Sequence, residues 1–123
     1  STSWGSGHRV NNGMINVLPD GKPLEPIASV LGKKGVRMGL VSTATITHAT
    51  PAGFAASVKD RNDEHSIALQ YLNRVDILLG GGVEFFDPAT RPDRKDLFAE
   101  FAGAGYEVLR NREQLAAAKG GKL

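Results

Sequence analysis

Two kinds of apolar spacing alternate along the chain. Leu24, Ile27, Ala28 and Leu31 recur every three or four positions and predict a helix over 23–34, with Pro26 inside its first turns. Lys33 and Lys34 suit the negative end of that helix, and Gly35 stops it. Residues 36–41 then read as a buried strand. Phe54, Ala55 and Val58 mark one side of a helix over 51–59, and Ile67, Ala68, Tyr71 and Leu72 form the buried face of another over 62–73. Residues 75–79 are a continuous apolar run, as in a parallel strand covered on both faces, and Gly80-Gly81-Gly82 ends it. After a loop over 83–93 the pattern predicts a helix over 94–102, a strand over 106–109 and a helix over 112–118. Near the start, 14–18 is a short extended piece between two turn signals, Asn11-Asn12-Gly13 and Pro19-Asp20-Gly21.

This alternation of helix and strand predicts an α/β fold, a layered α/β/α arrangement on a mostly parallel sheet. Three strands are few for an independent sheet of this class, so residues 1–123 are expected to form a single partial α/β domain. Ser1, Thr2, Ser3, Gly5, Ser6 and Gly7 allow close backbone approach or tight helix packing, or else a frayed terminus. The chain opens without an initiator Met and stops at Lys122-Leu123, as an internal portion or a processed product of a longer chain would. The net charge is +2 and the basic residues are scattered, which argues against nucleic acid or an anionic membrane as partner. No apolar run approaches the ~18 residues of a membrane span. With no cysteine, disulfides, thiolate metal sites and cysteine nucleophiles are excluded.

In α/β proteins ligands collect at the carboxyl ends of strands. Thr45, Thr47, His48 and Thr50 lie just past the predicted strand 36–41 and lead into Pro51. Thr50 suits a helix N-cap with Pro51 in the first turn, and its hydroxyl also suits a hard cation such as magnesium. His48 is either a surface hydrogen-bonder or a metal ligand, proton donor or support to one. Arg61 is either a solvated charge or a two-pronged clamp on phosphate. Eleven residues of unbroken helix would hold Thr50 and Arg61 ~16 Å apart, so a shared site requires the helix to end before Arg61. Gly80-Gly81-Gly82 lacks the spacing of a phosphate loop and reads better as a place where another backbone packs close. Trp4 and Phe85-Phe86 read as core or interface anchors.

The stretch Thr47-His48-Ala49-Thr50-Pro51-Ala52-Gly53, with Arg61, Ile67-Ala68-Leu69-Gln70 and Val75-Asp76-Ile77-Leu78-Leu79-Gly80-Gly81-Gly82, resembles the alkaline phosphatases. The resemblance runs back to Trp4-Gly5-Ser6-Gly7 and Asn12-Gly13 and covers the whole chain. It implies hydrolysis of phosphate monoesters through a phosphoserine, with two Zn2+ ions and one Mg2+. It maps Thr50 onto a magnesium ligand and Arg61 onto the arginine that grips substrate phosphate. It maps His48 onto a position beside the magnesium that is Asp in some members and His in others. The family's Asp-Ser-Ala nucleophile stretch precedes the segment matching Ser1 to Trp4, and its zinc ligands lie partly upstream and mostly beyond Leu123. The resulting expectation is a fragment of an exported, periplasmic or extracellular, homodimeric enzyme. It would hold at most a partial Mg2+ site, be inactive alone, and have the remainder of the enzyme as partner. The alternative is a non-catalytic α/β module that binds phosphate or another surface.

Overall fold

The computed structural model describes residues 2–123; Ser1, counted above among the small N-terminal residues, lies outside them. It is mixed α/β with a parallel sheet. The elements run α1 (Thr2–Ser6), α2 (Ile27–Gly32), β1 (Gly39–Thr45), α3 (Ala49–Ala55), α4 (Glu64–Tyr71), β2 (Ile77–Gly81), a 3-10 turn (Val83–Phe85), α5 (Leu97–Gly103) and α6 (Arg112–Ala117).

β1 and β2 pair in parallel with Gly39 opposite Ile77, Leu40 opposite Leu78 and Val41 opposite Leu79. The register then shifts, and Thr45 lies opposite Gly81. The first strand therefore starts later than expected and runs on through residues read as loop. Its start is set by Met38 and Asp76: the Met38 N–H donates to Asp76 Oδ2 at 2.8 Å, and the Asp76 N–H to the Met38 carbonyl at 2.7 Å. Gly80 and Gly81 belong to β2 and do not terminate it. The reading of close backbone approach holds there: a Cβ on Gly80 would lie 3.0 Å from the Ile46 Cβ and 3.3 Å from the Ala44 carbonyl oxygen.

Three further expectations shift. α2 starts at Ile27, because Pro26 is its extended N-cap (φ −73°, ψ 154°) while Leu24 is tied to the Asn16 carbonyl. α5 starts after Asp96, whose side chain accepts from the Ala99 N–H at 3.0 Å. Residues 106–109 form no strand; only Tyr106 makes an isolated bridge, to Lys122.

α1 docks on α3 through its small residues. A Cβ on Gly5 would lie 1.6 Å from the Gly53 carbonyl oxygen, so only glycine permits this approach. The core is made by Ile15, Ala52, Ala55, Ile67, Tyr71, Val75 and Leu97, with Phe86, Phe101 and Tyr106 as an aromatic cluster. Phe86 is thus a core anchor, whereas Trp4 is 81% exposed and anchors no core here.

Candidate functional site

The site is built where β1 ends. Beyond Thr45 the chain turns through residues 46–48, closed by the His48 N–H donating to the Thr45 carbonyl at 3.0 Å. α3 begins at once, with His48 as its N-cap residue (φ −57°, ψ 154°) and no side-chain cap. This overturns the N-cap assignment of Thr50, which is the second residue of the helix and exposed. The helix begins earlier because the His48 carbonyl already accepts the Ala52 N–H at 3.0 Å. Pro51 remains within the first turn, where the backbone N–H has no intrahelical partner to lose. The Thr50 hydroxyl is left at the surface.

α3 ends at Ala55, four residues short of the expected 51–59, and Ala56 is extended (φ −129°, ψ 162°). The chain is pulled away by Val58, which bridges Ile15, and by the Arg61 N–H, which donates to the Gly13 carbonyl at 2.7 Å. This break satisfies the condition for a shared site. Arg61 turns back and its Nη2 lies 3.2 Å from His48 Nε2. A guanidinium can only donate, so Nε2 is the acceptor and the imidazole proton of this arrangement is on Nδ1. Both residues are exposed, so the Arg61 guanidinium is accessible to an oxyanion.

Glu64 was not singled out in the sequence. Asp63 caps α4 by accepting the Ser66 N–H at 3.1 Å, and Glu64 opens the helix. One carboxylate oxygen of Glu64 accepts both the Thr45 hydroxyl at 2.8 Å and the Thr47 hydroxyl at 2.5 Å. Below the turn, the buried Tyr71 hydroxyl donates to the Ile46 carbonyl at 2.8 Å. Burial, with the nearby Glu64 charge, pushes the Tyr71 phenol well above its ordinary value, so it stays a proton donor in alkaline solution. A carboxylate at the head of a helix was visible in the sequence, but its partners lie 17 and 19 residues earlier and nothing local marks them.

Among the described residues, no group of three or more His, Asp or Glu side chains is placed to hold a metal ion. The donor set therefore does not fit zinc within this chain. For magnesium it fits only in part: the exposed Thr50 hydroxyl is an oxygen ligand of the right type, one of several such an ion requires. A cleft of about 370 Å³ lined by Ile46, Leu78, Phe86, Phe98 and Tyr106 borders the turn but is lined by none of His48, Thr50 or Arg61. It is largely apolar. Also among the described residues, no helix is long and apolar enough to cross a membrane.

A sequence model described as Alkaline phosphatase matches residues 1–122. Alkaline phosphatase 3 of Bacillus subtilis is 36% identical over 122 residues, covering 94% of this chain and 26% of that protein. Streptomycin-6-phosphate phosphatase of Streptomyces griseus is 33% identical, covering 99% and 32%. The crystal structure of Thermus thermophilus alkaline phosphatase superposes with a TM-score of 0.91 at 44% identity, over 96% of this chain and 25% of that one. A histidine-to-glutamate mutant of the TAB5 alkaline phosphatase, with Mg bound in its M3 site, superposes at 0.80 and 29% identity, over 94% and 34%. The chain thus spans between a quarter and a third of the length of these relatives.

Proposed function

The chain belongs to the alkaline phosphatase family, and from that premise we propose that it supplies the phosphate-gripping part of a phosphate-monoester hydrolase. Arg61 is the proposed clamp. Its guanidinium matches two phosphoryl oxygens and carries a permanent charge, so it stabilises negative charge that builds on them during transfer. His48 holds the clamp in place through Nε2, two residues before Thr50 in the chain. The single observation that carries this reading is the 3.2 Å contact between Arg61 and His48, just past the end of a parallel strand and two residues before the exposed Thr50.

Thr50 is the residue that would give this chain's oxygen to a magnesium ion, with His48 beside it as support. When bound, magnesium and zinc supply fixed positive charge and Lewis acidity at the phosphoryl group. The zinc ligands and the serine nucleophile come, on this proposal, from the remaining length of the family's fold. Residues 1–123 alone are then not a working enzyme. Export to the periplasm or outside the cell, and assembly as a homodimer, belong to the same proposal for the whole protein.

The test is hydrolysis of a chromogenic phosphate monoester by the whole protein carrying this segment, with zinc and magnesium, before and after Arg61→Ala. The reading expects kcat/KM to fall by about 10²-fold or more, as when an oxyanion donor is removed. An unchanged kcat/KM would remove Arg61 from the reaction.

A further inference from the structure

We propose that Glu64 is a positioning residue for this site, tying the segment that carries Arg61 to the turn that carries His48. The inference rests on the assignment of Arg61 and His48 as the phosphate site. Two short segments must be held together there: the turn at 45–48, and the loop at 61–64. The Arg61–His48 contact alone is exposed on both sides, and an isolated contact of that kind in water is weak. Glu64 provides a second tie beside it. It lies three residues after Arg61, and it holds Thr47, the immediate neighbour of His48.

The chemistry makes this tie the stronger one. Thr47 is fully buried and Glu64 half-buried, so the contact is shielded from solvent. Hydroxyl-to-carboxylate hydrogen bonds are charge-assisted and short, and the 2.5 Å distance from Thr47 is of that kind. Two hydroxyls converging on one oxygen also fix the spacing of Thr45 and Thr47 along the chain, hence the direction in which His48 leaves the turn. Asp63 anchors the helix from which Glu64 projects, so the tie is held at both ends.

Because both hydroxyls use one oxygen, a glutamine can in principle replace the carboxylate: its amide oxygen still accepts both. Charge and position can therefore be separated. The experiment titrates inorganic phosphate into the whole protein carrying this segment and into its Glu64→Ala, Glu64→Gln and Arg61→Ala variants, and reads the His48 ring nitrogens by 1H–15N NMR. Glu64→Ala is expected to weaken phosphate binding by about tenfold and to move the His48 Nε2 signal, as loss of a supporting residue does. Glu64→Gln, whose amide oxygen accepts both hydroxyls without charge assistance, is expected to restore most of both. Thr47→Val, nearly isosteric, is expected to reproduce the Glu64→Ala effect and serves if Glu64→Ala fails to fold.

Unchanged phosphate binding and an unchanged His48 signal in Glu64→Ala or Thr47→Val would overturn the proposal. So would a Glu64→Gln variant as impaired as Glu64→Ala, since the negative charge itself would then be the contribution. If Arg61→Ala leaves phosphate binding unaltered, the phosphate-site assignment fails, while the His48 signal still decides the role of Glu64.

Discussion

Arg61 and His48 are 13 residues apart in the chain and 3.2 Å apart in space. What brings them together is the early end of α3 at Ala55 and the two backbone attachments that follow, Val58 to Ile15 and Arg61 to Gly13. The site therefore depends on the extended N-terminal segment as much as on the strand it crowns.

The docking of α1 on α3 yields a pair of opposite predictions for glycine. Gly5→Ala places a Cβ on the Gly53 carbonyl and is expected to destabilise by about 1–3 kcal/mol as α1 is pushed off. Gly103→Ala, at the end of α5 with open space around it, is expected to stabilise by roughly 0.5–1 kcal/mol. Thermal or urea unfolding of the two variants checks both signs.

Tyr71 supports the turn from below. Tyr71→Phe leaves the buried Ile46 carbonyl without its phenol donor and is expected to cost about 1–3 kcal/mol. The pH dependence follows from the raised phenol. In the unfolded chain the phenol ionises near 10.0, while in the folded chain it ionises higher, so its contribution to stability is intact below 10.0 and falls as pH rises above it. An absorbance titration of the tyrosinate should show Tyr106 and Tyr71 ionising late or only with unfolding, since burial raises both.

At the other pH extreme Asp93 is the group to watch. Arg91 is buried, donates to the Phe85 and His65 carbonyls, and pairs with Asp93 at 2.6 Å. The hydrogen bond from Arg91 holds the Asp93 carboxyl down to about 2 from 3.8, against a smaller opposing effect of desolvation. The folded value lies below the unfolded one, so this stabilisation is present above 3.8 and is lost as pH falls through about 2. Melting temperatures of the chain and of Asp93→Asn should differ by a constant amount above pH 4 and converge toward pH 2; a constant difference throughout would contradict the assignment.

The sequence shows most clearly what is periodic or locally capped. Ile67, Ala68 and Tyr71 are buried as their spacing requires, and Asp63 opens α4. Of the stretches that resemble the family, Thr47 to Gly53 and Arg61 meet at one end of β1. Strand boundaries were less legible because they are set by partners distant in sequence: Met38 waits for Asp76, and the glycines of β2 extend it against Ala44 and Ile46. The third strand fails because the Tyr106 N–H is taken by the Phe101 carbonyl, and a single bridge to Lys122, with the Glu107 N–H donating to the Lys122 carbonyl, builds no ladder. Thr50 lies two positions further into its helix than an N-cap would, since the His48 carbonyl starts the ladder. Glu64 escaped notice because its two hydroxyl partners lie across a tertiary contact that no local pattern announces. Trp4 has the size of an anchor but lies at the surface.

The most direct measurement of the Arg61 assignment is a titration of inorganic phosphate into the whole protein carrying this segment and into its Arg61→Ala variant, followed by 1H–15N NMR. The account predicts shifts concentrated at His48, Thr50 and Arg61 in the unaltered chain, and their loss in a variant that keeps its fold. Phosphate bound equally well by Arg61→Ala, or shifts centred on Gly80-Gly81-Gly82 instead, would contradict it.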